Sequence, residues 1–229
     1  MTRSYGLPSR RRYADRHEAG VALADRLLEF AGRDVVVLGL PRGGIPVAYE
    51  VARALHAPLD VFVVRKLGLP GHPELAMGAI ASGGVRVLND EIVRQLRVPS
   101  AAIEAVTRGE QMELERRERA YRGARTAIPI EGRVVILVDD GLATGSTMRA
   151  AVLAVRRLIP AEIIVAVPVG ARDTCRALTE VADDVVCALT PEPFTAVGLW
   201  YENFDQTTDE EVRRLLAAST AAPQVKRSA

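Results

Sequence analysis

Residues 134–147 read VVILVDDGLATGST: an apolar run, two adjacent aspartates, then a turn of small and hydroxyl-bearing residues. Buried carboxylates are costly unless something pairs with them. At a strand end, where the chain turns, both Asp139 and Asp140 can rim a cleft and accept hydrogen bonds from sugar hydroxyls, or from a sugar with its metal. The turn then enters a helix N-terminus, where free N–H groups and the positive dipole end favour a phosphate. Small residues let an anion approach the backbone, and Thr144, Ser146 and Thr147 add donors. Acceptors beside a phosphate cradle describe a site for a phosphorylated sugar. A lone aspartate pair would be read as a capped strand–helix turn; the surrounding stretch outweighs that. There is no GK[ST] P-loop and no GxGxxG, so the common nucleotide fingerprints are missing.

The elements that must hold this stretch alternate between helical and strand periods. Residues 15–30 carry apolar positions at helical spacing; 34–40 (DVVVLGL) form a nearly continuous apolar strand, as expected of a parallel strand covered on both faces. PRGG breaks the chain, 45–57 read as a helix and 59–67 as a strand. The Gly/Pro-rich segment 68–78 reads as a loop, and 76–89 as two short strands around Ser82-Gly83-Gly84. Helices are expected over 90–97 and 100–122; the second is so charged that it reads as a solvated helix with i,i+4 pairs. After the aspartate strand come a helix from 146, a strand in 161–170, a helix from 172, a strand over 183–190, an irregular aromatic segment over 191–206, a closing helix and a frayed tail. This β-α-β alternation implies a parallel sheet with right-handed crossovers. Ligands in such sheets bind beyond the carboxyl ends of the strands, where Asp139 and Asp140 are expected.

Composition excludes several classes. The chain has 229 residues, enough for one large domain, and is 48% hydrophobic and 26% charged, which is globular rather than disordered. Basic and acidic residues nearly cancel at a net charge of +1, which gives no general attraction to nucleic acid or membrane surfaces. Cys175 and Cys187 make no metal pattern with the scattered His17, His56 and His72 and do not suggest a disulfide framework, so a reducing cytoplasm is expected. The N-terminal stretch has charges where a signal peptide needs apolar residues, SRRR at 9–12 reads as a solvated basic arm, and no apolar run reaches the ~20 residues of a membrane span.

The stretch VVILVDDGLATGST resembles the phosphoribosyl pyrophosphate motif of type I phosphoribosyltransferases, and other family parts follow in order over roughly residues 15–190. The whole chain is also similar to a predicted bacterial phosphoribosyltransferase branch. The resemblance implies the type I fold: a parallel sheet with helices on both faces, a core domain over 1–190, and a hood segment with a C-terminal helix and tail over 191–229. It implies that Asp139 and Asp140 hold the ribose hydroxyls and, with them, Mg²⁺, and that Ala143, Thr144, Gly145, Ser146 and Thr147 hold the 5′-phosphate. LPRGG (40–44) is similar to the pyrophosphate loop, with Arg42 and Gly43 as ligands and a cis Pro41–Arg42 peptide. RKLGLPGHPELAMG stands where the family has its flexible catalytic loop, from which Arg65 and Lys66 would reach pyrophosphate. The 6-oxopurine enzymes carry an aspartate where this chain has Ala143, so a proton donor must come from elsewhere; Glu74 is the candidate, with His72 second. Phe194, Trp200 and Tyr201 in the hood would stack on a nucleobase, although Trp200 equally suits a small core. The implied activity is Mg²⁺-dependent transfer of a phosphoribosyl group to a nucleobase, with release of pyrophosphate, as in nucleotide salvage. A regulator that senses phosphoribosyl pyrophosphate on the same fold stays open beside the enzyme, though the lack of a basic helical face counts against nucleic acid as its partner. A diphosphokinase fits less well, because there is no second nucleotide fingerprint. A homodimer is compatible with the reading, and the sequence does not fix the oligomer or the base.

Overall fold

The computed structural model describes residues 2–4 and 12–221. Its centre is an all-parallel sheet. β1 is Thr2–Ser4, followed by α1 (Arg16–Ala24), β2 (Val35–Gly39), α2 (Gly44–Leu55) and β3 (Leu59–Val61). An antiparallel unit comes next: β4 (Val64–Leu69), β5 (His72–Ala81) and β6 (Val85–Leu88), then α3 (Asp90–Gln95) and α4 (Ser100–Arg122). The chain returns to the main sheet with β7 (Val134–Val138), α5 (Ser146–Arg156), β8 (Glu162–Val169), α6 (Arg172–Leu178) and β9 (Asp184–Leu189), and closes with α7 (Asp209–Ala221). The main sheet runs β1-β9-β8-β7-β2-β3.

Alternation within the apolar strands explains the two-sided core. Successive strand residues face opposite ways. Val35, Val37, Val134, Ile136 and Val138 accordingly join one cluster with Leu23, Ile45, Val51 and Leu216, on the face covered by α1, α2 and α7. Val36, Leu38, Val135 and Leu137 join the other, with Met148, Val152 and Val155 of α5. α4 is solvated through most of its length, with Glu113 paired to Arg116 and Arg117, but its Ile103, Leu114 and Tyr121 are buried. Its last residue, Arg122, reaches the buried Asp60 of β3 at 3.0 Å, supplying the cation that a buried carboxylate needs.

Three expectations are corrected. The run over 59–67 is not one strand: β3 ends at Val61 and β4 begins at Val64 in a different sheet. The segment 68–78 is not a loop. Its glycines and prolines mark a turn at positive-φ Gly71, and β4 and β5 pair on either side with a register shift near Gly68. α7 packs on α2 and α4, burying Val212 and Leu216 in the main core. Cys175 and Cys187 are joined in a disulfide between α6 and β9, inside the core. Residues 9–11 of the expected basic arm and 222–229 of the expected tail lie outside the described residues.

Helix α1 crosses α2 closely at Gly20, where a Cβ would stand 2.9 Å from the Val47 carbonyl oxygen and 2.9 Å from the Glu50 Cβ. Beneath it, Glu50 is buried and held by His17 at 2.8 Å and Arg53 at 2.6 Å. Helix propensity alone would make Gly20→Ala stabilising by up to about 1 kcal/mol. The collision with backbone should win and destabilise by roughly 1–3 kcal/mol. A lowered urea midpoint at unchanged m-value is the expected result, and a raised midpoint would show that the helices separate freely.

Candidate functional site

The direction of the crossovers places the site. From β2 the chain moves outward to β3, and from β7 it moves the other way through β8 to β9. β2 and β7 are hydrogen-bonded neighbours, with Gly39 opposite Val138. Such a switch point opens a crevice beyond the carboxyl ends of the two strands. Both candidate turns emerge there: LPRGG after β2 and DDGLATGST after β7.

The two turns touch. Gly43 and Gly44 have room for no side chain: a Cβ on Gly43 would collide with the Asp140 carboxylate, and one on Gly44 would stand 2.7 Å from the Val138 carbonyl oxygen. The Pro41–Arg42 peptide is cis, as the resemblance implied. The Asp140 N–H donates to Asp139 Oδ1 at 2.9 Å. Arg16, from the first turn of α1, donates through Nε to Asp140 Oδ2 at 2.8 Å and through a terminal nitrogen to the Asp205 carbonyl at 2.7 Å. Its guanidinium carbon lies 3.9 Å from the centre of the Phe204 ring. Desolvation, reinforced by the Asp140 charge, holds the Asp139 carboxyl well above the usual carboxylate range. Desolvation raises Asp140 too, with Arg16 opposing it.

The cradle is exposed and pinned from behind. The Leu142 N–H donates to the Val169 carbonyl and the Thr174 hydroxyl to the Ala143 carbonyl, at 2.9 and 2.7 Å. Gly145 has φ +69° and caps α5, a left-handed conformation that disfavours other residues. Ala143, Thr144, Ser146 and Thr147 are solvent-facing around it, with free helix N–H groups behind.

A family model, the phosphoribosyl transferase domain, matches residues 71–199. Two relatives from Mycobacterium tuberculosis, strains CDC 1551 / Oshkosh and ATCC 25618 / H37Rv, are each 52% identical over 200 residues, covering 87% of this chain. Both are named, provisionally, as phosphoribosyl transferases. The chain belongs to the phosphoribosyl transferase domain family. It covers 45% of each relative's length, so it spans about half of the curated relatives it matches. The crystal structure of TT1426 from Thermus thermophilus is 42% identical, with a TM-score of 0.81 over 90% of this chain and 98% of that one.

Within this phosphoribosyl transferase fold, the expected site residues fall into separate groups. Asp139, Asp140, Gly43 and the cradle residues 143–147 converge at the switch point. Arg42 sits on the same turn and faces Asp209 of α7 at 3.6 Å. Arg65 is tied to Glu110 of α4 by bonds of 2.6 and 2.7 Å. Lys66 is exposed on β4, while Glu74 and His72 are exposed on β5. In the hood, Phe194 and Trp200 are partly buried against a small cluster that includes Tyr13 and Tyr201. Tyr201 is buried, with its ring 5.7 Å from Tyr13 and 4.9 Å from Phe204, and its hydroxyl donates to the Asp140 carbonyl at 2.6 Å. Sequence reasoning missed Arg16, Tyr13, Phe204 and Thr174. Arg16 is 124 residues from its partner in the chain, and in a charged helix start nothing local distinguishes it.

The Tyr13 hydroxyl donates to the Pro168 carbonyl at 3.2 Å, and burial pushes the phenol from 10.0 to about 12. A phenol kept neutral by folding stabilises fully below the unfolded pKa, and that stability is lost as pH rises from 10.0 to about 12. At 1.36 kcal/mol per unit the loss reaches about 3 kcal/mol. Urea midpoints at pH 9 and 11 should fall further in the native chain than in Tyr13→Phe. Equal falls would show that Tyr13 ionises freely in the fold.

Proposed function

We propose that this chain transfers a phosphoribosyl group from phosphoribosyl pyrophosphate to a nucleobase-like acceptor, releasing pyrophosphate. The observation that carries the reading is the contact of the Gly43 turn with the Asp140 carboxylate at the switch point, beside an exposed phosphate cradle. A ligand bearing a 5′-phosphate, ribose hydroxyls and a pyrophosphate at the anomeric carbon matches the cradle, the carboxylates and the glycine turn in that order.

The acceptor nitrogen would attack the anomeric carbon as the bond to pyrophosphate breaks and its electron pair leaves with the pyrophosphate. Positioning and electrostatics supply most of the acceleration. Arg42 and Lys66 would bring positive charge to the leaving group, with Arg42 exchanging Asp209 for pyrophosphate oxygens. Among the described residues no group of three or more His, Cys, Asp or Glu side chains is placed to hold a metal ion. The donor set therefore suits an ion that arrives with phosphate oxygens, which is how Mg²⁺ usually binds. Mg²⁺ held by Asp139 and Asp140 together with the ligand would neutralise charge growing on pyrophosphate. Glu74, which has no aspartate counterpart at Ala143, would exchange a proton with the acceptor. Phe194 and Trp200 would offer it ring faces, with Tyr201 fixing the strand end beneath them.

Phosphoribosyl pyrophosphate with Mg²⁺ should raise the unfolding temperature, because a ligand that binds only the folded chain adds about 2.7 kcal/mol at a hundredfold excess over its dissociation constant. Asp140→Asn should lose roughly 1.5–3 kcal/mol of that binding while folding normally. No shift at millimolar ligand would reject the reading. A nucleobase screen for pyrophosphate release identifies the acceptor. With that acceptor, Glu74→Gln should lower kcat by ~10²–10⁴ and leave phosphoribosyl pyrophosphate affinity intact. An unchanged kcat would remove Glu74 from the chemistry.

A further inference from the structure

Arg16 is the one cation that the structure places in direct contact with the strand-end carboxylates, among the described residues. Its side chain is only 12% exposed and engages three partners at once: the Asp140 carboxylate, the Asp205 carbonyl and the Phe204 ring. It also borders the glycine turn, since its Nε is 3.2 Å from where a Gly43 Cβ would be. Asp140 is held at both ends, its carboxylate by Arg16 and its carbonyl by the Tyr201 hydroxyl. Tyr201 and Phe204 belong to the hood segment, their rings packed 4.9 Å apart with their planes tilted by 32°. The N-terminal segment is sewn to the same segment by Tyr13 N–H to the Trp200 carbonyl at 2.9 Å and Glu202 N–H to the Tyr13 carbonyl at 2.8 Å.

We propose that Arg16 is a positioning residue of this site: its guanidinium fixes the rotamer of Asp140 and locks the hood segment 200–205 to it, so that the ribose-binding carboxylate is set before ligand arrives. The inference rests on the phosphoribosyl pyrophosphate reading of the site. A guanidinium suits the task because its planar fork addresses a carboxylate and a carbonyl simultaneously while its face covers a ring. A lysine ammonium at the same place keeps the charge and loses the fork. In metal sites, outer partners that orient a ligating carboxylate typically govern affinity or activity by 10–100-fold, and the same order is expected here.

The test separates ribose binding from phosphate binding in the full chain. Calorimetry measures phosphoribosyl pyrophosphate with Mg²⁺ and, separately, inorganic pyrophosphate without Mg²⁺, which can engage the glycine turn and lacks both a ribose and a metal bridge to Asp140. For Arg16→Met, phosphoribosyl pyrophosphate affinity should fall by about tenfold or more, with pyrophosphate affinity within about twofold of the native value. Arg16→Lys, which retains the charge and guards against a misfolded methionine variant, should lie between the two. In the ligand-free chain, the single tryptophan, Trp200, should become more accessible to acrylamide in both variants as the hood loosens. Unchanged affinity for both ligands, or equal loss of both, would overturn the role. Native protein that binds pyrophosphate yet gains nothing from the ribose would overturn the reading of the site, and the role with it.

Discussion

The molecule is organised around two carboxylates placed side by side at the end of a strand covered on both faces. Asp139 and Asp140 cannot both be comfortable there alone. Desolvation raises both carboxyls, and Arg16, bonded to Asp140 at 2.8 Å, opposes that rise in each. The result is asymmetric: Asp140 is bonded to Arg16, while Asp139, desolvated and facing Asp140, is held furthest from its usual ionisation.

That constraint reaches into the surrounding fold. The turns after β2 and β7 can approach each other only because Gly43 and Gly44 lack side chains. Gly141 admits Val197 of the segment 191–206, whose side chain fills the space a Cβ would take, so this segment sits directly on the turn after β7. That turn is held from behind by β8 and α6, through Val169 and Thr174. Rigid strands thus fix the acceptors, while the groups proposed for the leaving group and the proton, Lys66 and Glu74, stand exposed on the antiparallel hairpin. This division suits a reaction in which ligand must enter before water is excluded.

Much of this was legible in the sequence, for identifiable reasons. The central strands were readable because continuous apolar runs between turn residues have few other meanings in an α/β chain. The stretch 139–147 stood out because its small residues, hydroxyls and aspartates are contiguous. The segment over 59–69 was not, because the apolar pattern runs unbroken from β3 into β4 while the backbone changes sheets. The hairpin was hidden by Pro70, Gly71 and Pro73, residues that signal a loop and here mark a turn and the start of β5. The pairing of Cys175 with Cys187 depends on α6 and β9 packing together, which spacing does not reveal. Arg16 was invisible because its role is set entirely by tertiary contacts with residues 140, 204 and 205.

A crystal structure of the chain with phosphoribosyl pyrophosphate and Mg²⁺ would test the proposed site directly. The expected result is ribose hydroxyls within hydrogen-bonding distance of Asp139 and Asp140, the 5′-phosphate in the turn 143–147, and the pyrophosphate against the backbone of Arg42 and Gly43. Ligand density elsewhere, with the switch-point crevice holding only solvent, would contradict it.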